Sequence, residues 1–136
     1  MGLAAQLEVV RRVPSSDDGR IDDVAVKSMG RLFAAWKVSV ADAAVLAGVS
    51  ERTWSRMKAG NVSALNQDQR MRASGLVGVY KGLHLYFSDA LADRWVRLAN
   101  QGALFGGMTP LAFMIEGGLP AILRVRAEID ALRGGM

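Results

Sequence analysis

Apolar residues recur at intervals of three and four along most of the chain, and no segment alternates convincingly with period two. Ala25, Met29, Leu32, Phe33 and Trp36 give one apolar face to a helix that Asp22 or Asp23 is placed to cap. Ser39 caps a short second helix ending near Ala47-Gly48. Ser50 caps a third, from Glu51 to about Ala59, with Gly60-Asn61 as its stop. A long helix follows from about Asn66 to Phe87, with Leu76, Val79, Leu83 and Phe87 on one face. Gly75, Gly78 and Gly82 lie beside that stripe. Each costs about 1 kcal/mol relative to alanine inside a helix, so three together predict a second helix packed closely there, or a kink.

Ser88 opens the next helix, in which Leu91, Trp95 and Leu98 line up. The stretch from Gln101 to Met108 is too glycine-rich to be helical throughout. Thr109-Pro110 then signals a new start, since threonine caps and proline tolerates the first helical position. That helix stops at Gly117-Gly118. Pro120 opens the last one, striped by Ile122, Val125, Ile129 and Leu132 and ended by Gly134-Gly135. Ahead of all these, Leu3 to Val13 reads as a short helix followed by the turn-forming Pro14-Ser15-Ser16-Asp17-Asp18-Gly19. The fold class is all-α. The expected division is a loosely attached arm at 1–21, a helix-turn-helix domain at 22–65 and a second helical domain at 66–136.

Composition narrows this picture. With 136 residues, 51% of them hydrophobic, the chain can bury a real core. The absence of cysteine rules out disulfides and thiolate chemistry and fits a reducing cytoplasm. The start shows no signal-peptide pattern, and no window approaches the roughly 20 apolar residues of a membrane span. Met1-Gly2 lacks the Ser or Thr that a myristoylation signal needs at the sixth position, where Gln6 stands. A cytoplasmic protein with no membrane partner is expected. The net charge is +4, and its distribution is more telling: Arg52, Arg56, Lys58, Arg70 and Arg72 fall within residues 50–72 against only Glu51 and Asp68.

That basic cluster overlaps the most specific local signal. A helix-turn-helix needs a small residue in its first helix, glycine in the turn, and apolar residues that seat the second helix. Ala44, Gly48, Val49, Trp54 and Met57 fall at those intervals. Glu51 to Lys58 is then the recognition helix. With Trp54 and Met57 turned inward, Arg52, Thr53, Ser55, Arg56 and Lys58 face outward, where they can meet guanine edges or phosphates. Ser50 starts the helix and leaves its free N–H groups to a phosphate. The competing reading is a helical hairpin whose basic residues form an ordinary solvated face.

From Arg70 to Gly134 the sequence resembles the toxin-binding domain of the Xre–MbcA–ParS antitoxin family, and a helix-turn-helix before it matches the family's order. The resemblance is carried by Ala92-x-x-Trp95 on a helix, then Asn100, then Ala103-Leu104-Phe105-Gly106-Gly107-Met108-Thr109-Pro110-Leu111. A short helix, a glycine pair and a final helix ending in Leu132-Arg133-Gly134 complete it. Ala99 stands where the family often has proline, which leaves the local loop geometry open.

The resemblance implies a type II antitoxin, partnered with a toxin that it neutralises by contact. Such toxins typically carry a RES domain, acting on NAD or using it for ADP-ribosylation. It also implies autorepression at operator DNA. Phe105 and Met108 beside Gly106-Gly107 suit apolar protein contacts, and Phe105 equally suits a buried loop anchor; Met114 has the same ambiguity. Arg126 and Arg133 share a helix face, and with Gly134, Gly135 and Met136 they are the candidates for reaching the toxin near its nucleotide pocket. A solvated helix end is the alternative.

An enzyme is not expected. His84, the only histidine, sits in the long helix with no acidic partner at hand, and Glu116, Glu128 and Asp130 make no recognisable pair or metal pattern. No cofactor or metal is expected. The rival function is a stand-alone helix-turn-helix regulator whose C-terminal half senses a ligand or only dimerises; a third is an interaction module that has lost DNA contact. A homodimer is expected, since one module reads a half-site. The glycine-faced long helix is the first candidate for its surface.

Overall fold

A computed structural model describes residues 16–134. Six helices order them: α1 (Ser16–Ala35), α2 (Val40–Ala47), α3 (Glu51–Lys58), α4 (Gln67–Tyr86), α5 (Asp89–Trp95) and α6 (Pro110–Gly134). No strand occurs among the described residues, in keeping with the all-α expectation.

Most helix boundaries fall where the caps lie. Ser39 Oγ accepts the Asp42 N–H, and Ser50 Oγ accepts the Thr53 N–H. Asn66 and Gln69 form a reciprocal capping box, at 2.8 and 3.0 Å, that starts α4. Thr109 Oγ1 accepts the Ala112 N–H ahead of Pro110. Gly118, at φ 68° and ψ −150°, interrupts α6 in a conformation that only glycine adopts readily, and Pro120 leads into its second segment. These boundaries agree with the sequence reading. Ser88 also occupies a cap position, but its side chain makes no capping bond.

The first helix departs from expectation. It begins by Ser16, so it takes in residues 16–21 of the expected arm, and neither Asp22 nor Asp23 caps it. Asp18 lies near the new start, where an acid suits the positive helix end. Asp22 instead lies deep inside the helix, buried and spoken for. Its carboxylate accepts the Leu65 N–H at 3.1 Å and takes a bidentate pair from Arg70, 2.9 and 3.0 Å. This ties α1 to the base of α4. The expected short helix at Leu3 to Val13 lies outside the described residues.

One core runs through both halves of the chain. Val26, Met29, Leu32, Phe33 and Trp36 of α1 pack with Ala43, Ala44 and Leu46 of α2, with Trp54 and Met57 of α3, and with Leu76, Val79 and Leu83 of α4. Met114, Ile122, Val125 and Ile129 of α6 close the same cluster. The glycine face of α4 explains the closest approach: a Cβ on Gly75 would come within 2.7 Å of Ile122, and one on Gly78 within 2.5 Å of the Arg126 guanidinium. The glycine stripe thus seats α6 of the same chain. It is already covered, which removes it as the expected dimer surface. Leu98 and Leu132, placed on apolar stripes by their spacing, lie exposed beyond the edges of the core.

Candidate functional site

The turn between α2 and α3 is built as a helix-turn-helix requires. Gly48 takes the left-handed conformation, φ 77° and ψ 32°, and the Gly48 and Val49 N–H groups close the end of α2 onto Val45 and Ala44 carbonyls. Ala44 is buried, Val49 half-buried, and Trp54 and Met57 are in the core. Trp54 meets Phe33 edge-on at 5.4 Å, which fixes the roll of α3 against α1. That roll leaves Arg52, Ser55, Arg56 and Lys58 exposed. None of the three cations has an ion-pair or hydrogen-bond partner among the described residues. Thr53 is half-buried. Its hydroxyl accepts from Ser50 Oγ at 3.0 Å, so these two residues serve the helix start as well as facing its rim.

Two members of the basic cluster have other tasks. Arg70 is held by Asp22. Arg72 pairs with Asp68 at 2.8 Å and donates to the Val45 and Leu46 carbonyls at 3.1 and 3.3 Å, neutralising the negative end of α2. A Cβ on Gly48 would come within 2.8 Å of Arg72 Nε, so the turn glycine and this arginine fit together. The cluster visible in sequence therefore divides. Arg52, Arg56 and Lys58 form an outward surface; Arg70 and Arg72 hold the helix-turn-helix onto α4.

The segment after α5 forms a closed loop. Asn100 donates its N–H to the Met108 carbonyl and accepts the Gly107 N–H on its own carbonyl, while its side chain takes the Gly102 N–H at 2.8 Å. Gly106 and Gly107 both have positive φ, as this reversal demands. Phe105 is the plug beneath the loop: it is 5% exposed and meets Trp95 and Phe113 edge-on at 5.8 and 5.3 Å. Met114 is wholly buried. Both were candidates for the toxin surface, and both belong to the core; aromatic neighbours from α5 and α6 close over Phe105, and α6 turns Met114 inward. Met108 is half-buried.

Arg126 is engaged as well, donating to the Ser74 carbonyl at 3.2 Å while lying 3.7 Å from Asp130. Arg133 lies in the last turn of α6, and Gly134 is exposed at its end. Gly135 and Met136 lie outside the described residues. Exposed apolar side chains in this half are others: Met71, Leu85 (71% exposed), Tyr86, Leu98, Leu123 and Leu132. Leu85 lies two residues from the buried Leu83, outside the apolar stripe, so the spacing gave no signal for it.

His84 also differs from expectation. Nδ1 lies 2.8 Å from Asp89 and Nε2 2.8 Å from Asp93, with the Tyr80 ring tilted against it at 4.3 Å. Burial pulls its pKa down, but the two carboxylates outweigh burial and raise it above 6.5. A neutral imidazole has one N–H and cannot donate to both, so this geometry belongs to the imidazolium. The acids come from α5, across the turn at Ser88; their spacing of four places both toward α4. Among the described residues, no helix is long and apolar enough to cross a membrane.

Comparison with known proteins agrees with this architecture. Residues 21–78 match the antitoxin Xre-like helix-turn-helix domain, and residues 82–135 match the antitoxin Xre/MbcA/ParS C-terminal toxin-binding domain. The chain is similar to an uncharacterized protein, y4oB, of Sinorhizobium fredii, at 33% identity over 125 residues covering 90% of this chain and 93% of that protein. No solved structure matches it. With a helix-turn-helix of the Xre type joined through one core to the family's toxin-binding domain, the chain belongs to the Xre/MbcA/ParS family of antitoxins.

Proposed function

We propose that this antitoxin neutralises a RES-domain, NAD-using toxin by direct contact, and that as a homodimer it represses its own operon through α3. One observation carries the DNA part. Arg52, Arg56 and Lys58 stand outward on a recognition helix whose inner face is locked by Trp54 and Met57, and no acid within the described residues neutralises them. Such a surface is stable without DNA and complementary to it. Ser55, and Thr53 at the rim, add hydrogen-bonding groups, and Ser50 leaves the start of α3 toward a phosphate.

The toxin part rests on the match of residues 82–135. Within it, Met108, Arg126 and the end of α6 with Arg133, Gly134, Gly135 and Met136 are the proposed contacts, and Phe105 and Met114 support them from beneath. Co-expression with the adjacent reading frame tests the whole reading. Rescue of growth and co-purification are expected, and Arg52→Ala with Arg56→Ala should abolish operator preference while leaving rescue intact. Operator binding beside a neighbour with no toxicity would favour a stand-alone regulator instead.

A further inference from the structure

Two depressions run along the flanks of α3, and they differ in charge. On one side Thr53, Arg56, Asn61 and Ser63 line a polar notch of about 240 Å³. On the other a groove of about 560 Å³ separates α3 from α1. Its rim carries Lys27 and Arg31 from α1 and Lys58 from α3, against the single acid Asp23. Its floor is low, because Gly30 presents no side chain there and a Cβ on it would meet nothing within 4 Å.

Lys27 and Arg31 are four apart and therefore lie on one face of α1. Both are exposed, as is Lys58, and none of the three is paired among the described residues. Three like charges thus line one groove with no counter-charge bonded to them among the described residues. They call for an anion. The position of the groove says which. A helix with its side chains is about 10–12 Å across, and the major groove of B-DNA is about 12 Å wide. A helix seated there has a phosphate strand against each flank. Lys58 lies on the flank of α3 rather than on its outermost line, one turn beyond Trp54, and it faces the same side as Lys27 and Arg31.

We infer that Lys27 and Arg31 are phosphate contacts contributed by α1, which with Lys58 grip the DNA strand running past this flank of the recognition helix. They position the duplex and read no sequence, unlike Arg52 and Arg56 on the outer line. This rests on the DNA-binding reading above and extends its footprint to a helix outside the helix-turn-helix.

The test compares the full chain with Lys27→Gln/Arg31→Gln and Arg52→Ala/Arg56→Ala variants. Binding to the duplex upstream of the gene and to an unrelated duplex is followed by anisotropy from 50 to 200 mM salt. The α1 variant, with an unchanged melting temperature, should weaken both duplexes by the same factor and lower the salt slope by about 1.8 per subunit, near 0.9 for each phosphate lost. The preference between duplexes should not change. An unchanged slope alongside lost preference in the Arg52/Arg56 variant overturns the inference and leaves the DNA reading standing. A changed preference in the α1 variant also overturns it, since base readout would then lie there. Competitive binding of ATP that depends on Lys27 and Arg31, with the DNA slope unmoved, would reassign the groove to a free nucleotide. If the wild type binds neither duplex, the DNA reading itself fails.

Discussion

Asp22 and Asp23 are adjacent on α1, yet only Asp22 is buried, at 1% exposed. Burial alone would raise its pKa, but the Arg70 side chain bonded to it outweighs that, and the Leu65 N–H helps, so the carboxyl is held below 3.8. A depressed carboxylate contributes stability above its unfolded pKa and loses it as pH falls through the folded value. Asp22→Ala leaves the Leu65 N–H without its acceptor and should cost about 2 kcal/mol, read from the urea midpoint at neutral pH. His84 has the opposite sign. Its pKa is raised, so its contribution is complete below 6.5 and fades as pH rises through the folded value. The melting temperature should therefore fall from pH 6 toward pH 9, and His84→Gln should flatten that dependence. An NMR titration of the single imidazole midway below 6.5 would contradict it. Neither partnership was legible in the sequence. Asp22 reads as a cap because aspartate commonly is one, and its partner Arg70 is far along the chain; the acids facing His84 sit on a different helix.

At the scale of elements, legibility followed local chemistry. Ser39, Ser50, Asn66 and Thr109 each satisfy N–H groups a few residues away, so their helices were readable from the sequence alone. The glycines of α4 were readable as a close approach but not as to which surface approaches. Alternate fates at this contact can be ranked. At Gly75 an added Cβ meets Ile122, a wholly buried branched side chain with no room to yield. At Gly78 it meets the far end of Arg126, which is flexible and part-exposed. Gly75→Ala should therefore destabilise by about 1–3 kcal/mol despite alanine's better helix propensity. Gly78→Ala should be near neutral, its gain of about 1 kcal/mol in propensity offsetting the Ser74 bond that Arg126 gives up. Equal losses in chemical denaturation of the two variants would show that α4 and α6 are not seated this way.

Across the whole molecule, the two matched stretches meet inside a single helix. The first runs to residue 78 and the second begins at 82, both within α4, whose Leu76, Val79 and Leu83 belong to one continuous core. A boundary near residue 65, where the sequence shows its turn signals, separates α1 to α3 from the helix they pack on. It also severs the Asp22–Arg70 pair and the Arg72 contacts to α2. A fragment of residues 1–65 would expose Leu32, Trp36 and Leu46, and one of 66–136 would expose the opposite side of α4. We propose that the chain unfolds as one unit and that neither fragment folds alone. Far-ultraviolet dichroism and tryptophan fluorescence should then report one coincident urea transition, since Trp36 and Trp54 lie in the first half and Trp95 in the second. Separate transitions, or a folded 66–136 fragment, would establish two independent domains. The distinction bears on regulation. In a single cooperative unit, a toxin held by the second half would also stabilise the helix-turn-helix against unfolding, so adding the toxin should raise the one urea midpoint reported by Trp36 and Trp54 as well as by Trp95.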